Sequence, residues 1–220
     1  MLRYSLRVLP LREVCVGGLA LLALLWLVDH WPQQLWQLAG VAAALTGAVA
    51  SCVFDEPSAS IVDTLPRPRW WRTAARLLTA TLLAGLWVAA ASLVDPRDIG
   101  RSDVLRLQGV GSILLGAAVS TWLRRRGRPS PGPAVASALL LVLAFAAVMN
   151  PFDTELPLFP YGPSGDWAAS RSLWTGVVAA AAVAVAVSCI EGSPVRGSSR
   201  WRGACGGPKA SGHRPGASGG

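Results

Sequence analysis

The sequence predicts an all-α fold, a bundle of six transmembrane helices with both termini in the cytoplasm. Three observations lead to this prediction. Apolar residues make up 52% of the 220 positions and charged residues only 15%, which is unlike a soluble domain. Six apolar runs alternate with polar connections, and the basic residues concentrate in every second connection. These features are typical of a polytopic membrane protein.

Each apolar run approaches the roughly 20 residues that a helix needs to cross a hydrocarbon core of about 30 Å. The runs cover residues 14–28, 35–54, 73–94, 107–123, 134–149 and 173–190. Arg3, Arg7 and Arg12 precede the first run, as they would in a cleaved signal peptide, but no A-x-A-like site follows before Asp29. We therefore interpret the first run as a span, and residues 1–190 as one transmembrane domain.

The distribution of positive charge predicts the orientation. With the N-terminus inside, sixteen of the twenty Lys and Arg residues fall in inner segments, and only Arg97, Arg101, Arg106 and Arg171 fall in outer ones. Translocated loops resist positive charge, so both termini are expected in the cytoplasm. Topology and anionic lipid then explain the net charge of +8, and binding of nucleic acid is not needed to explain it.

Tryptophans favour the membrane interface, where the ring is buried and the indole N–H can still be hydrogen-bonded. Trp167 and Trp174 are therefore expected at the outer face, and Trp122 at the inner face. Trp26 and Trp87 lie deeper in their runs and are most simply packing residues.

Residues 191–220 have a different composition from the rest of the chain. They contain nine glycines in thirty positions, are basic and lack apolar periodicity. Such a segment has too little apolar surface to fold, so it is predicted to be a disordered cytoplasmic tail.

The cysteines and histidines predict neither a disulfide nor a metal site. Cys15, Cys52 and Cys189 fall at inner ends of spans and Cys205 in the tail, all within a reducing compartment. No C-x-x-C or C-x-x-H spacing is present, so cysteine is more simply a small buried apolar residue here. No cofactor is predicted.

One string resembles a catalytic motif. Residues 162–165 read GPSG, which matches the G-x-S-G of intramembrane serine proteases, and His30 is the only conceivable base. Gly, Pro and Ser are also the residues that an outer loop uses to turn, and this interpretation is favoured. No catalytic residue is assigned, and the chain is predicted not to be an enzyme.

The second and fourth runs carry a partial repeat. LAGVAAALTGAVAS at 38–51 aligns without gaps with LQGVGSILLGAAVS at 107–120, and seven of the fourteen positions agree. Either a parallel duplication or the ease with which Ala- and Gly-rich helices coincide would explain the match. The aligned glycines are Gly40 with Gly109 and Gly47 with Gly116.

These glycines are candidate helix-packing residues. The pairs Ala43/Gly47 and Ser112/Gly116 have the small-x-x-x-small spacing that lets two backbones approach closely in lipid. We expect these faces to pack against other helices, either in the same subunit or in a second copy of the chain.

The inner connection after the second span, DEPSASIVDTLPRPRWW from residue 55, has the features of a short helix. Asp55 and Glu56 favour a helix N-terminus, and Ile61, Val62 and Leu65 share one face. A helix of about two turns is unstable alone, so it must dock on something. The bilayer or the protein's own spans are one candidate surface, and a soluble partner is the other.

This architecture resembles that of ABC-transporter permeases. Six spans, inner termini, the basic lead MLRYSLRVLPLRE and the short helical loop are similar to ABC exporter permeases, and DEPSASIVDTLPRPRWWRTAARL resembles loops of actinobacterial integral membrane proteins. The resemblance implies a bacterial inner membrane location and a cytoplasmic ATPase that receives the loop as a coupling helix. The connection RRRGRPSPGP at 124–133 departs from the family, because it has no room for a second coupling helix.

The sequence thus leads to two functional expectations. The first is a permease-like component of a transport system energised by a separate ATPase, since the span interiors lack the ionisable residue that an ion-coupled carrier usually keeps. The alternative is a non-transporting scaffold or regulator that recruits a partner through its basic tail or inner loop.

Overall fold

The computed structural model describes residues 11–31, 37–54, 69–93, 102–128, 130–149, 157–160 and 166–190. Six helices follow one another in these ranges: α1 (Leu11–His30), α2 (Gln37–Val53), α3 (Arg69–Leu93), α4 (Ser102–Arg125), α5 (Gly132–Met149) and α6 (Trp167–Ile190). No strand occurs within these ranges, and the predicted all-α class is confirmed for them.

Three of these helices are long and apolar enough to cross a membrane: α4, α5 and the Trp167–Ser188 part of α6. The other three carry shorter apolar stretches, at Cys15–His30, Gln37–Val53 and Arg76–Ser92. By length and composition the chain is therefore a helical membrane protein.

Several helices begin before the apolar runs that predicted them. α4 begins at Ser102, α3 at Arg69 and α6 at Trp167, whereas the corresponding runs begin at residues 107, 73 and 173. The apolar run marks only the part of a helix suited to hydrocarbon, and a helix continues through polar residues where its end is stabilised. In α4, Asp103 lies in the first turn, where its charge favours the helix N-terminus. The predicted tail at 191–220 lies outside the described residues.

Asp166 caps the N-terminus of α6. Its Oδ1 accepts a hydrogen bond from the Ala169 N–H at 2.9 Å, and its backbone carbonyl accepts the first helical bond, from the Ser170 N–H at 3.1 Å. A carboxylate at this position satisfies a backbone donor that has no partner inside the helix.

The pair α2 and α4 forms the centre of the bundle. α2 packs against α1, α4 and α5, and α4 packs against α2, α3 and α6. The apolar window of α4 is 61% buried, whereas those of α5 and α6 are only 28% and 22% buried. α1, α3, α5 and α6 therefore surround the central pair.

Backbone contact joins α2 to α4 along what we call the seam: Gly47 and Ser51 of α2, and Ser112 and Gly116 of α4. A methyl group on Gly47 would lie 2.7 Å from the Ser112 carbonyl oxygen, and one on Gly116 would overlap the Gly47 carbonyl oxygen. The Ser51 hydroxyl donates to the Gly47 carbonyl at 2.9 Å, and the Ser112 hydroxyl to that of Gln108 at 2.8 Å. Both hydroxyls are thus satisfied inside their own helices, and the seam is closed by van der Waals contact.

The outer helices expose apolar side chains on the surface of the bundle. On α3, Leu78, Leu82 and Leu86 recur every four residues and all are exposed. α5 exposes Leu141 and Phe145 in the same way. Contiguous apolar surface of this kind is rare on soluble monomers and is suited to lipid.

Replacing Gly116 by alanine should destabilise the bundle by about 1–3 kcal/mol, because the added methyl group forces α2 and α4 apart along the seam. The measurement is unfolding of the purified protein in mixed micelles by sodium dodecyl sulfate, followed by circular dichroism.

Gly176→Ala is the matched control, because Gly176 also lies in a helix but has nothing within 4 Å of the added methyl. That change should be neutral or stabilising by up to about 1 kcal/mol, as expected when alanine replaces a helical glycine. Equal effects of the two substitutions would show that the seam is not closely packed.

Candidate functional site

The helices alternate in direction, which gives the bundle two chemically different ends. Gly17 near the start of α1 contacts Val49 near the end of α2, and Gly40 near the start of α2 contacts Ala147 near the end of α5. One end, which we call the basic end, carries Arg76 together with the arginines that close α4: Arg124, Arg125, Arg126 and Arg128. The opposite end carries Asp29, Asp103 and Asp166.

At the basic end, two arginines converge on one backbone carbonyl. The Phe54 carbonyl, directly after α2, accepts hydrogen bonds from Arg76 Nη1 of α3 at 3.4 Å and Arg124 Nη1 of α4 at 3.3 Å. The last carbonyls of a helix have no partner inside it and carry partial negative charge, which favours guanidinium groups there. Three helices are therefore tied together at the buried Phe54.

The predicted partner-docking segment begins at the next residue. Asp55, Glu56, Ile61, Val62 and Leu65 lie outside the described residues, as does the whole of 55–68. The structure does show what the segment is attached to: its first residue follows Phe54, and α3 begins at Arg69. The segment therefore connects α2 to α3, two of the three helices that meet at Phe54.

A further arginine joins α4 to α6. Arg125 Nη2 donates to the carbonyls of Val187 at 3.0 Å and Ser188 at 2.5 Å, near the C-terminus of α6. The same physical rule applies as at Phe54, since a cation compensates the carbonyls that end a helix. Arginines from α3 and α4 thus cap the C-termini of α2 and α6, two of the three helices that end at the basic end.

The turn after α4 is a Schellman motif centred on Gly127. The N–H of Arg128 bonds to the Leu123 carbonyl at 3.2 Å, and the N–H of Gly127 bonds to that of Arg124 at 3.0 Å. Gly127 has a φ of 87°, a conformation that side-chain-bearing residues rarely adopt. The connection is short and α5 begins at Gly132.

At the opposite end, three side chains converge on the Leu158 carbonyl. Gln108 Nε2 of α4 donates to it at 3.1 Å, Trp174 Nε1 of α6 at 2.8 Å and the Ser170 hydroxyl of α6 at 3.3 Å. A buried carbonyl without partners would be costly in a membrane, so these donors hold the 157–160 segment in the bundle.

Phe159 fills the space between α2 and α6. It is 3% exposed, its ring lies 3.0 Å from where a methyl group on Gly40 would be, and it packs on Trp174 with ring centroids 5.8 Å apart. The absence of a side chain at Gly40 makes room for this ring. The segment 157–160 therefore closes the end of the bundle opposite the arginines.

Two of the tryptophans have different environments from those expected: Trp26, expected to be a packing residue, is 55% exposed on α1, and Trp174 is buried. Trp174, expected at the interface, is 1% exposed and packs against Gly111. Trp87 is completely buried, as expected of a packing residue. Its Nε1 also donates hydrogen bonds to the carbonyls of Leu105 and Arg106, both at 3.2 Å. Its ring lies over Gly109, one of the predicted packing glycines.

The described residues do not bring metal-ligating side chains together. They contain no group of three His, Cys, Asp or Glu side chains able to hold a metal. His30 is exposed and packs between Trp26 and Trp31, with ring centroids 4.4 and 5.9 Å away. The GPSG string at 162–165 lies outside the described residues, so its predicted turn is not observed.

Gln108, Phe159, Ser170 and Trp174 form a polar and aromatic cluster that sequence reasoning did not identify. One signal was available for Gln108, because it occupies the repeat position held by Ala39 in the second run. A polar residue is costly at such a position unless a partner satisfies it. No pattern in the sequence identifies Leu158 as that partner.

No family model, no curated protein and no solved structure matches the chain.

Replacing Phe159 by alanine should destabilise the protein by about 3–5 kcal/mol, because it empties a site against Gly40 and Trp174. Unfolding in mixed micelles measures the change. Phe145→Ala removes an equal side chain that is 56% exposed on α5 and should change stability by no more than about 0.5 kcal/mol. Equal losses in the two variants would mean that Phe159 does not close the bundle.

Proposed function

We propose that all six helices span the inner membrane of a bacterium, with the basic end and both termini in the cytoplasm. The alternating helix directions support this, because they bring the N-terminus of α1 and the C-terminus of α6 to the same end. The arginines at that end support it as well, since positive charge is retained on the cytoplasmic side. The shorter apolar stretches of α1, α2 and α3 cross the bilayer with their polar ends at the head groups.

We further propose that the chain is a permease-like component of a transport system energised by a separate cytoplasmic ATPase. The observation that carries this proposal is the pair of arginines at Phe54. The predicted docking segment begins directly after Phe54, where α2, α3 and α4 are tied together, so a partner that moves the segment acts on the central helices. The ATPase docks on Ile61, Val62 and Leu65, and Asp55 and Glu56 favour the N-terminus of the docking helix.

The transport pathway lies between two copies of the chain. Within one copy, the closed seam between α2 and α4 leaves no room for a substrate, because a methyl group is already too large there. When the ATPase moves the docking segment, α2 and α4 move together as one unit. This movement changes the surface that contacts the second copy. A homodimer with one ATPase per copy is the assembly that this mechanism requires.

A non-transporting scaffold or regulator is the second candidate. The same closed seam favours it, because a bundle whose central helices are closely packed can present its basic end to a partner without any internal movement. In this case the basic tail at 191–220, and not residues 61–65, is the element that binds.

Purification from native membranes distinguishes the two functions. The permease proposal predicts that an ATPase co-purifies in stoichiometric amount and that Ile61→Asp, Val62→Asp and Leu65→Asp together reduce its recovery at least tenfold, since about 1.4 kcal/mol of lost binding already gives a factor of ten. Ser130→Asp is the control, because it introduces a negative charge at the same end in an exposed position outside the docking segment.

Two results would contradict the permease proposal. One is the absence of any ATPase. The other is a partner that is lost only when residues 191–220 are deleted, which supports the scaffold.

A further inference from the structure

The end of α4 and the neighbouring end of α6 combine charge with apolar surface in a way that the proposed function does not use. We call this surface the arginine corner: Trp122, Arg125, Arg126 and Arg128 with Val187 of α6. All five residues are exposed. Val183, one turn before Val187 on α6, extends the apolar surface.

The arginines of this corner are held in place by the backbone. The Schellman turn at Gly127 determines where the chain carries Arg126 and Arg128 after α4. The guanidinium carbon of Arg126 lies 3.9 Å from the centroid of the Trp122 ring, a cation–π contact. Arg125 is positioned by its hydrogen bonds to the Val187 and Ser188 carbonyls. The Arg125 and Arg126 side chains are thus preorganised, which lowers the conformational entropy lost when a ligand binds.

The charges of Arg126 and Arg128 are not neutralised by the acidic side chains whose positions the structure describes. Those acids are Asp29, Asp103 and Asp166, and all three lie at the opposite end of the bundle. Asp103 pairs there with Arg171. An anion is therefore the complementary ligand for Arg126 and Arg128, and the fork of a guanidinium matches the oxygens of a phosphate.

The apolar part of the corner defines the class of anion. Val183 is 62% exposed, Val187 is 42% exposed and Trp122 is 47% exposed, and the Arg125 guanidinium lies at the Val187 carbonyl. A ligand that satisfies both parts has a phosphate at one end and hydrocarbon chains that follow the face of α6. Val183 and Val187 belong to the candidate span of α6, where lipid chains reach them and a nucleic acid or a soluble acidic protein does not.

We propose that the arginine corner is a binding site for an anionic phospholipid of the inner leaflet, whose phosphate contacts Arg126 and Arg128 and whose acyl chains cover Val183 and Val187. The Trp122 ring contacts the head group from the side of the acyl chains. The site rests on the proposed position of the chain in the bilayer but not on any ATPase or transported substrate.

The test uses the full chain reconstituted into nanodiscs of phosphatidylcholine with a minor fraction of phosphatidylglycerol. After extraction into a mild detergent, native mass spectrometry measures the ratio of the two lipids retained on the protein. We expect phosphatidylglycerol to be enriched on the wild type. Arg126→Gln and Arg128→Gln should each lower the enrichment about fivefold, the factor equivalent to about 1 kcal/mol for one arginine near an anionic surface.

Arg171→Gln is the matched control, because Arg171 is an exposed arginine at the opposite end. It should leave the enrichment unchanged. Arg126→Lys with Arg128→Lys keeps the charge but loses the guanidinium fork, and should retain only part of the enrichment. Equal loss in Arg171→Gln, or no enrichment on the wild type, would overturn the proposal. A variant is compared only after its unfolding curve shows the stability of the wild type.

Discussion

The contact between α2 and α4 at Gly47 and Gly116 is the interaction on which the rest of the structure depends. In lipid, helices associate without the hydrophobic drive that water supplies, so van der Waals contact between close backbones is the main attraction left. Ser51 and Ser112 line the same contact and satisfy their hydroxyls inside their own helices. α2 and α4 run in the same direction, so the chain has to return through α3 after α2 ends and before α4 begins. The other helices pack around the pair.

At each end of the bundle, one backbone carbonyl receives donors from two neighbouring helices. At the basic end the Phe54 carbonyl receives Arg76 and Arg124, and at the opposite end the Leu158 carbonyl receives donors from α4 and α6. Side-chain donors from neighbouring helices satisfy both carbonyls. The two carbonyls have different roles. Phe54 lies at the origin of the segment proposed to receive a partner, whereas Leu158 holds a segment that closes the bundle.

The sequence could predict the helical class, because apolar runs of spanning length and the arginine bias are local properties. The repeat also drew attention to Gly47 and Gly116, which the structure places in mutual contact, so that equivalent positions of two parallel helices meet. The cluster at Leu158 could not be predicted. Its members come from α4, α6 and a connection, and Trp174 has the sequence environment of an interfacial residue although it is buried. The apolar runs also do not indicate where a helix begins, because apolar length does not reveal a cap such as Asp166.

Disulfide formation across the seam is the most direct measurement of this arrangement. In a chain with its four cysteines replaced by serine, Gly47→Cys would place its Cβ about 3.1 Å from that of residue 112, and slight separation of the helices brings the pair into the usual range of about 3.5–4.5 Å. Oxidation in membranes should therefore link Gly47→Cys to Ser112→Cys within one chain. It should not link Gly47→Cys to Ser120→Cys, which lies about 12 Å further along α4. Equal linking of both pairs, or of neither, would contradict a seam in this register.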